Sequence, residues 1–139
     1  MQVTLDKIIE GYELPPIVRE IITDKMRAYE GWPEVKNIHS DDEVARQSGL
    51  PGIVCRGNMF LSYASEMLFN VFGQYWLKGG KLSVNFLVPV FPGDTVTARG
   101  KVIQKTKEDS AISYTIEVSV ENQRGEKAAA GTASLKVPQ

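Results

Sequence analysis

With one cysteine and one histidine in 139 residues, the chain is poor in the two most reactive side chains, and each scarcity excludes something. Cys55 alone cannot form an internal disulfide, and a single free thiol fits a reducing cytosol. One His and one Cys supply too little nitrogen and sulfur for a metal site, so no metal is expected. An excess of either charge is missing as well. Sixteen basic residues face seventeen acidic ones, scattered along the chain, for a net charge of −1. Without a basic block to track phosphates, no nucleic-acid partner is expected. Long apolar runs are also lacking. The N-terminal MQVTLDKIIEGYEL is broken by Asp6, Lys7 and Glu10, which a secretion signal would not tolerate. Met59 to Leu77, the most apolar stretch, carries Glu66, Asn70 and Gln74 and is too polar to span a bilayer. These absences predict a cytoplasmic protein with no membrane partner. What is present, 42% hydrophobic residues in a chain of ordinary domain length, suffices for one domain over 1–139 with its own core.

The apolar spacing changes period along the chain. VREII, after Pro15-Pro16, reads as a first short strand. Thr23 is the expected N-cap of a helix at about 24–30 that stops at Gly31. Trp32-Pro33 then turns the chain away from helical geometry. SDDE at 40–43 reads as a capping box opening a second helix, with Ser40 bonding the Glu43 amide and Gly49 closing it. In NMFLSYASEMLFNVF, Phe60, Leu61, Ala64, Met67, Leu68 and Val71 recur at helical spacing with few polar interruptions, which predicts a mostly buried helix over about 58–72. After Gly79-Gly80 the period becomes two. Leu82 to Val90, Val96 to Val102, Ile112 to Val120 and a last segment to about Val137 alternate as strands, with turns at FPGD (91–94) and NQRG. Antiparallel strands with one apolar face need a cover, and only the 58–72 helix is long and apolar enough to provide it. The expected fold is therefore α+β, a curved antiparallel sheet wrapped around a central helix, the hotdog arrangement.

On these elements the chain resembles the MaoC-type dehydratases, (R)-specific enoyl-thioester hydratases with a hotdog fold. LPPIVREI and TDKMRAY match the family's entering strand and short helix. NIHSDDEVARQSG is similar to its Asn-Pro-x-His-x-Asp segment, GIVCRGN to the entry into its central helix, and FLVPVFPGDTV to its strand-turn-strand signature. The resemblance implies a catalytic carboxylate and histidine with four residues between them, a spacing that Glu34 and His39 share, with Glu in place of the family's Asp. Arg56-Gly57 stands where the family has His-Gly, and Lys36-Asn37 where it has Asn-Pro.

Hydration of an enoyl thioester needs a base for the attacking water, an acid for the α-carbon and donors for the enolate oxygen. His39 suits the base, because an imidazole with an ordinary pKa of ~6.5 is largely neutral in the cytosol. Glu34 would hold or shuttle the proton, given a dry apolar surrounding such as Trp32 could lend. The Gly57 amide, at the open start of the central helix, suits the oxyanion. Ser65 matches a family serine facing the catalytic pair, and Asn37 belongs to the same substrate-side group. Arg56 is either a salt-bridge residue or a contact for a substrate carboxylate.

The resemblance thus implies a hydratase/dehydratase acting on an enoyl thioester of CoA or acyl carrier protein. It implies no further cofactor, since the carrier arrives with the substrate, and a homodimer or higher homo-oligomer that pairs free sheet edges. Three alternatives remain at this level. One is an acyl-CoA thioesterase using Glu66 of the central helix, which requires that side chain to face the pocket. Another uses the same pocket to add a nucleophile other than water to an enoyl thioester, or for a polar substrate bound by Arg56. The third is a non-catalytic acyl-thioester-binding subunit of a hetero-oligomer. His39 could also be no more than a residue beside a helix cap, and Cys55 a small core residue.

Overall fold

A computed structural model describes residues 5–139. Strand β1 (Ile17–Glu20) leads to helix α1 (Thr23–Glu30), a short helix α2 (Asp42–Gln47), the long helix α3 (Gly57–Phe72) and α4 (Gln74–Gly79). Four strands follow: β2 (Lys81–Phe86), β3 (Thr95–Lys107), β4 (Ala111–Glu121) and β5 (Lys127–Pro138). The five strands form one antiparallel sheet in the order β1-β3-β4-β5-β2, an open sheet wrapped on a helix as the hotdog reading expects.

Alternation decides which face of the sheet is buried. Tyr114, Ile116, Val118 and Val120 of β4, with Val96, Ala98 and Val102 of β3, turn inward. They meet Met59, Phe60, Ala64, Met67, Leu68, Val71 and Phe72 of α3. A helix polar on so little of its surface is stable only when surrounded, and the sheet surrounds it. The approach is closest at Gly100, where an added Cβ would stand 2.9 Å from the Met67 methyl and 3.2 Å from Ile116. Gly100 thus lets the curved sheet settle on the helix.

Three local expectations need correction. Ile22, not Thr23, caps α1, because its carbonyl already accepts the Met26 amide at 3.0 Å and Thr23 is the first helical residue. The capping box at 40–43 does not form. The Ser40 hydroxyl is drawn inward, accepting the Asn37 amide at 3.0 Å and donating to the Val35 carbonyl at 3.1 Å. The cap passes to Asp41, whose carboxylate accepts the Val44 amide at 3.0 Å. Finally, β2 ends at Phe86 rather than Val90, and FPGD does not join a hairpin: β2 pairs with β5, whereas β3 lies between β1 and β4. Pro89 and Pro92 have no amide hydrogen to continue a ladder, and Val90 leaves the sheet to enter the core. The tight turn itself is present. The Asp94 carboxylate accepts the Phe91 amide at 2.9 Å and Gly93 takes φ +93°.

Candidate active site

Chain crossings between α1, the loop before α2 and the start of α3 build the site. Ser40 is its lower anchor, buried completely and further held by the Arg27 Nε–H, which donates to the Ser40 carbonyl at 2.9 Å. Above it the Asn37 side chain folds back so that its oxygen accepts the His39 amide at 2.8 Å, a short-range turn that Asn favours. The ring of His39 then meets the Val54 carbonyl through Nδ1 at 2.7 Å. A carbonyl can only accept, so Nδ1 carries the hydrogen, and in the neutral ring Nε2 keeps its lone pair. His39 is thereby held as a base with a defined free nitrogen.

The next turn of chain supplies donors. Arg56 precedes α3 with extended backbone and offers no side-chain cap, so the Gly57 and Asn58 amides at the helix start lack intrahelical partners. A cavity of about 480 Å³ opens between His39, Arg56 and Gly57 on one side and Phe60, Phe86 and Pro89 on the other. Phe86 lies edge-on to Phe60, with ring centroids 5.7 Å apart. A Cβ on residue 57 would stand 2.7 Å from the Phe86 ring. Only glycine leaves room there for both ring and ligand.

Behind the cavity sits a carboxylate that the sequence motifs do not single out. Glu30 accepts from Arg56 Nε at 2.7 Å and Nη2 at 2.9 Å, and from Asn37 Nδ2 at 2.9 Å. Its side chain is only 5% exposed, against 43% for Arg56. The Arg56 hydrogen bonds hold its carboxyl below the ordinary glutamate range against the opposing effect of burial; the Asn37 bond and the charge of His39 act in the same direction as Arg56. One local signal does point to it. Glu30 ends α1 beside Gly31, where the helix dipole disfavours negative charge, so an acid there needs a partner elsewhere.

The other candidates are distributed differently. His39, Arg56 and Gly57 share the cavity, and Asn37 stands directly behind it. Glu34 lies in the exposed turn before Asn37 and makes no hydrogen bond or ion pair among the described residues. The Trp32 ring holds the Arg27 guanidinium 4.3 Å and the Lys36 ammonium 5.4 Å from its centroid, and it is not part of the cavity lining. Ser65 accepts the Trp76 Nε1–H at 2.9 Å, tying α3 to α4. Glu66 points to β1, where Arg19 Nη2 meets it at 2.7 Å, so it does not face the cavity as a thioesterase base would have to. Cys55 lines the cavity wall, but burial pushes its thiol up to about 12, far from the thiolate a nucleophile needs. No group of side chains suited to a metal ion is found among the described residues. None of their helices is long and apolar enough to cross a membrane.

Comparison with known proteins agrees with this architecture. The family model described as a MaoC like domain matches residues 18–124. A MaoC-like dehydratase from Rhodospirillum rubrum superposes with a TM-score of 0.79 at 20% identity, over 99% of this chain and 97% of that one. An (R)-hydratase from A. caviae involved in PHA biosynthesis superposes with a TM-score of 0.75 at 26% identity, over 95% and 98%. The HadBC (3R-hydroxyacyl-ACP dehydratase) complex from Mycobacterium tuberculosis contains a chain with a TM-score of 0.69 at 16% identity, over 93% and 97%. No curated protein sequence matches the chain.

Proposed function

This chain belongs to the family of proteins with a MaoC-like domain, and from that premise we propose that it adds water reversibly across the α,β double bond of an enoyl thioester. The observation that carries this reading is the His39 ring, held through Nδ1–H on Val54 with Nε2 free, in one cavity with the open amides of Gly57 and Asn58. Hydration needs those two features together. Nε2 takes a proton from water as its oxygen bonds to the β-carbon, while the amides at the helix start hold the charge that gathers on the thioester oxygen. Phe60, Phe86 and Pro89 supply an apolar wall for the acyl chain. No cofactor is required, since CoA or a carrier protein arrives attached to the substrate.

A homodimer fits the same reading. β2 is an edge strand, paired on one side only, and Phe86 and Leu87 at its end are 52% and 56% exposed beside the cavity mouth. An unpaired edge flanked by exposed apolar side chains favours a second subunit.

The test follows the conjugated enoyl absorbance across a panel of enoyl-CoA thioesters, with His39→Ala alongside and free thiol monitored. Hydration without thiol release, lost by about 100-fold or more in the variant, is the expected result. Thiol release instead would mean a thioesterase. Turnover of no thioester, with binding retained, would favour the non-catalytic subunit.

A further inference from the structure

We propose that Glu30 is the positioning residue and counter-charge of His39, acting through Asn37, so that one imidazole both takes and returns the proton. The catalytic part rests on the hydratase reading; the coupling of Glu30 to His39 does not.

An ionised carboxylate only accepts hydrogen bonds. Asn37 must therefore turn its NH₂ toward Glu30 and its oxygen toward the His39 amide, and the structure has both contacts, at 2.9 and 2.8 Å. The His39 N–H, which can only donate, demands the same orientation, so the charge on Glu30 reinforces the placement of the group that positions His39. The second arm of Glu30 goes to Arg56, the residue at the entrance to α3. One buried carboxylate ties the loop carrying the base to the helix end carrying the oxyanion amides. Glu34 has no comparable partner among the described residues.

The electrostatics run the same way. A protonated His39 is among the influences that lower the affinity of Glu30 for a proton, after Arg56 and Asn37. The other titratable groups around the ring are few. Asp41 and Asp42, at the start of α2, are engaged with the Val44 and Ile53 amides, and Cys55 is held as a neutral thiol. Arg56 is paired with Glu30, and the Phe86–Pro89 segment across the cavity carries no charge. In the reaction, water's oxygen bonds to the β-carbon while its proton passes to Nε2, forming an imidazolium and an enolate. The same Nε2–H then protonates the α-carbon, restoring neutral His39 and completing the addition of H₂O. Glu30 acts on the imidazolium stage through its charge and through Asn37, without exchanging a proton.

Because the chain has a single histidine, its ring protons can be followed by NMR through a pH titration of the intact protein, whatever the activity. Glu30→Gln should move the titration midpoint to lower pH, and Arg56→Gln should move it to higher pH. A general loosening of the site would shift both the same way. Glu30→Asp, which keeps the charge on a shorter arm, should return part of the Glu30→Gln shift. In the hydration assay kcat should fall about tenfold in Glu30→Gln with KM little changed, short of the loss of about 100-fold or more expected without the imidazole. An unmoved midpoint in Glu30→Gln, or shifts of the same sign in Glu30→Gln and Arg56→Gln, would overturn the coupling even if hydration is confirmed. Opposite shifts in a protein that hydrates no thioester would sustain the coupling and remove only the reaction.

Discussion

The Glu30 carboxylate and the Arg56 guanidinium meet through two hydrogen bonds, at 2.7 and 2.9 Å, across 26 residues of chain. The pair joins the end of α1 to the start of α3, with the carboxylate almost fully buried and the guanidinium near the surface.

Acid stability is the first consequence. Glu30 has a depressed pKa in the folded chain, so its stabilising contribution is complete above the unfolded value of about 4.3 and disappears as pH falls through the lower folded value. Urea unfolding at pH 7 should show Glu30→Gln destabilised by about 1–2 kcal/mol, the lower part of the range for hydrogen bonds to a charged group because Arg56 is partly solvated. The difference from wild type should shrink steadily below about pH 4.3.

Gly57→Ala tests the close approach of Phe86. The new methyl would force the ring aside, and because that ring is half exposed it can move. Thermal unfolding should therefore change by less than about 1 kcal/mol, while kcat/KM for enoyl thioester hydration falls about tenfold or more as methyl and displaced ring crowd the oxyanion amides. A variant with unchanged kcat/KM would remove the Gly57 amide from the mechanism.

Cys55 should be inert in the folded protein. Burial first, then the charge of Glu30, keeps the thiol protonated well above neutral pH. Iodoacetamide at about pH 8 should label it quickly only after denaturation. Rapid native labelling would show that the cavity wall opens.

Glu66→Gln separates the two carboxylates on and near the central helix. Its ion pair with Arg19 is about 39% exposed on both sides, so the stability cost should stay below about 1 kcal/mol. Hydration should be unaffected and no thiol release should be gained or lost. Thiol release by the wild-type protein that disappears in Glu66→Gln would bring the thioesterase reading back.

Local, periodic features are legible in the amino-acid sequence. The helical spacing from Phe60 to Val71 and the alternation from Ile112 to Val120 each report one buried face, and the observed α3 and β4 bury those faces. The turn at FPGD and the helix start at Gly57 are also short-range, set by proline and glycine geometry within a few residues. His39 stands out because it is the only histidine and sits in a segment of family-like spacing, and the structure brings it beside Gly57 through the Val54 carbonyl.

Partners distant along the chain are another matter. Nothing near Ser40 indicates that its hydroxyl turns inward to Val35 rather than forward to Glu43, because that choice depends on Arg27 and the packing beneath the loop. Ser65 finds Trp76 on the next helix, and Glu34 stays in solvent while Glu30, four residues earlier, is buried. Spacing does not rank two glutamates on either side of Gly31. Composition and periodicity specify an apolar helix, a curved antiparallel sheet and a single candidate base. Which carboxylate stands behind that base follows only from the packing of α3 into the sheet, which carries Arg56 to the end of α1, because a buried charge is stable only where its partner arrives.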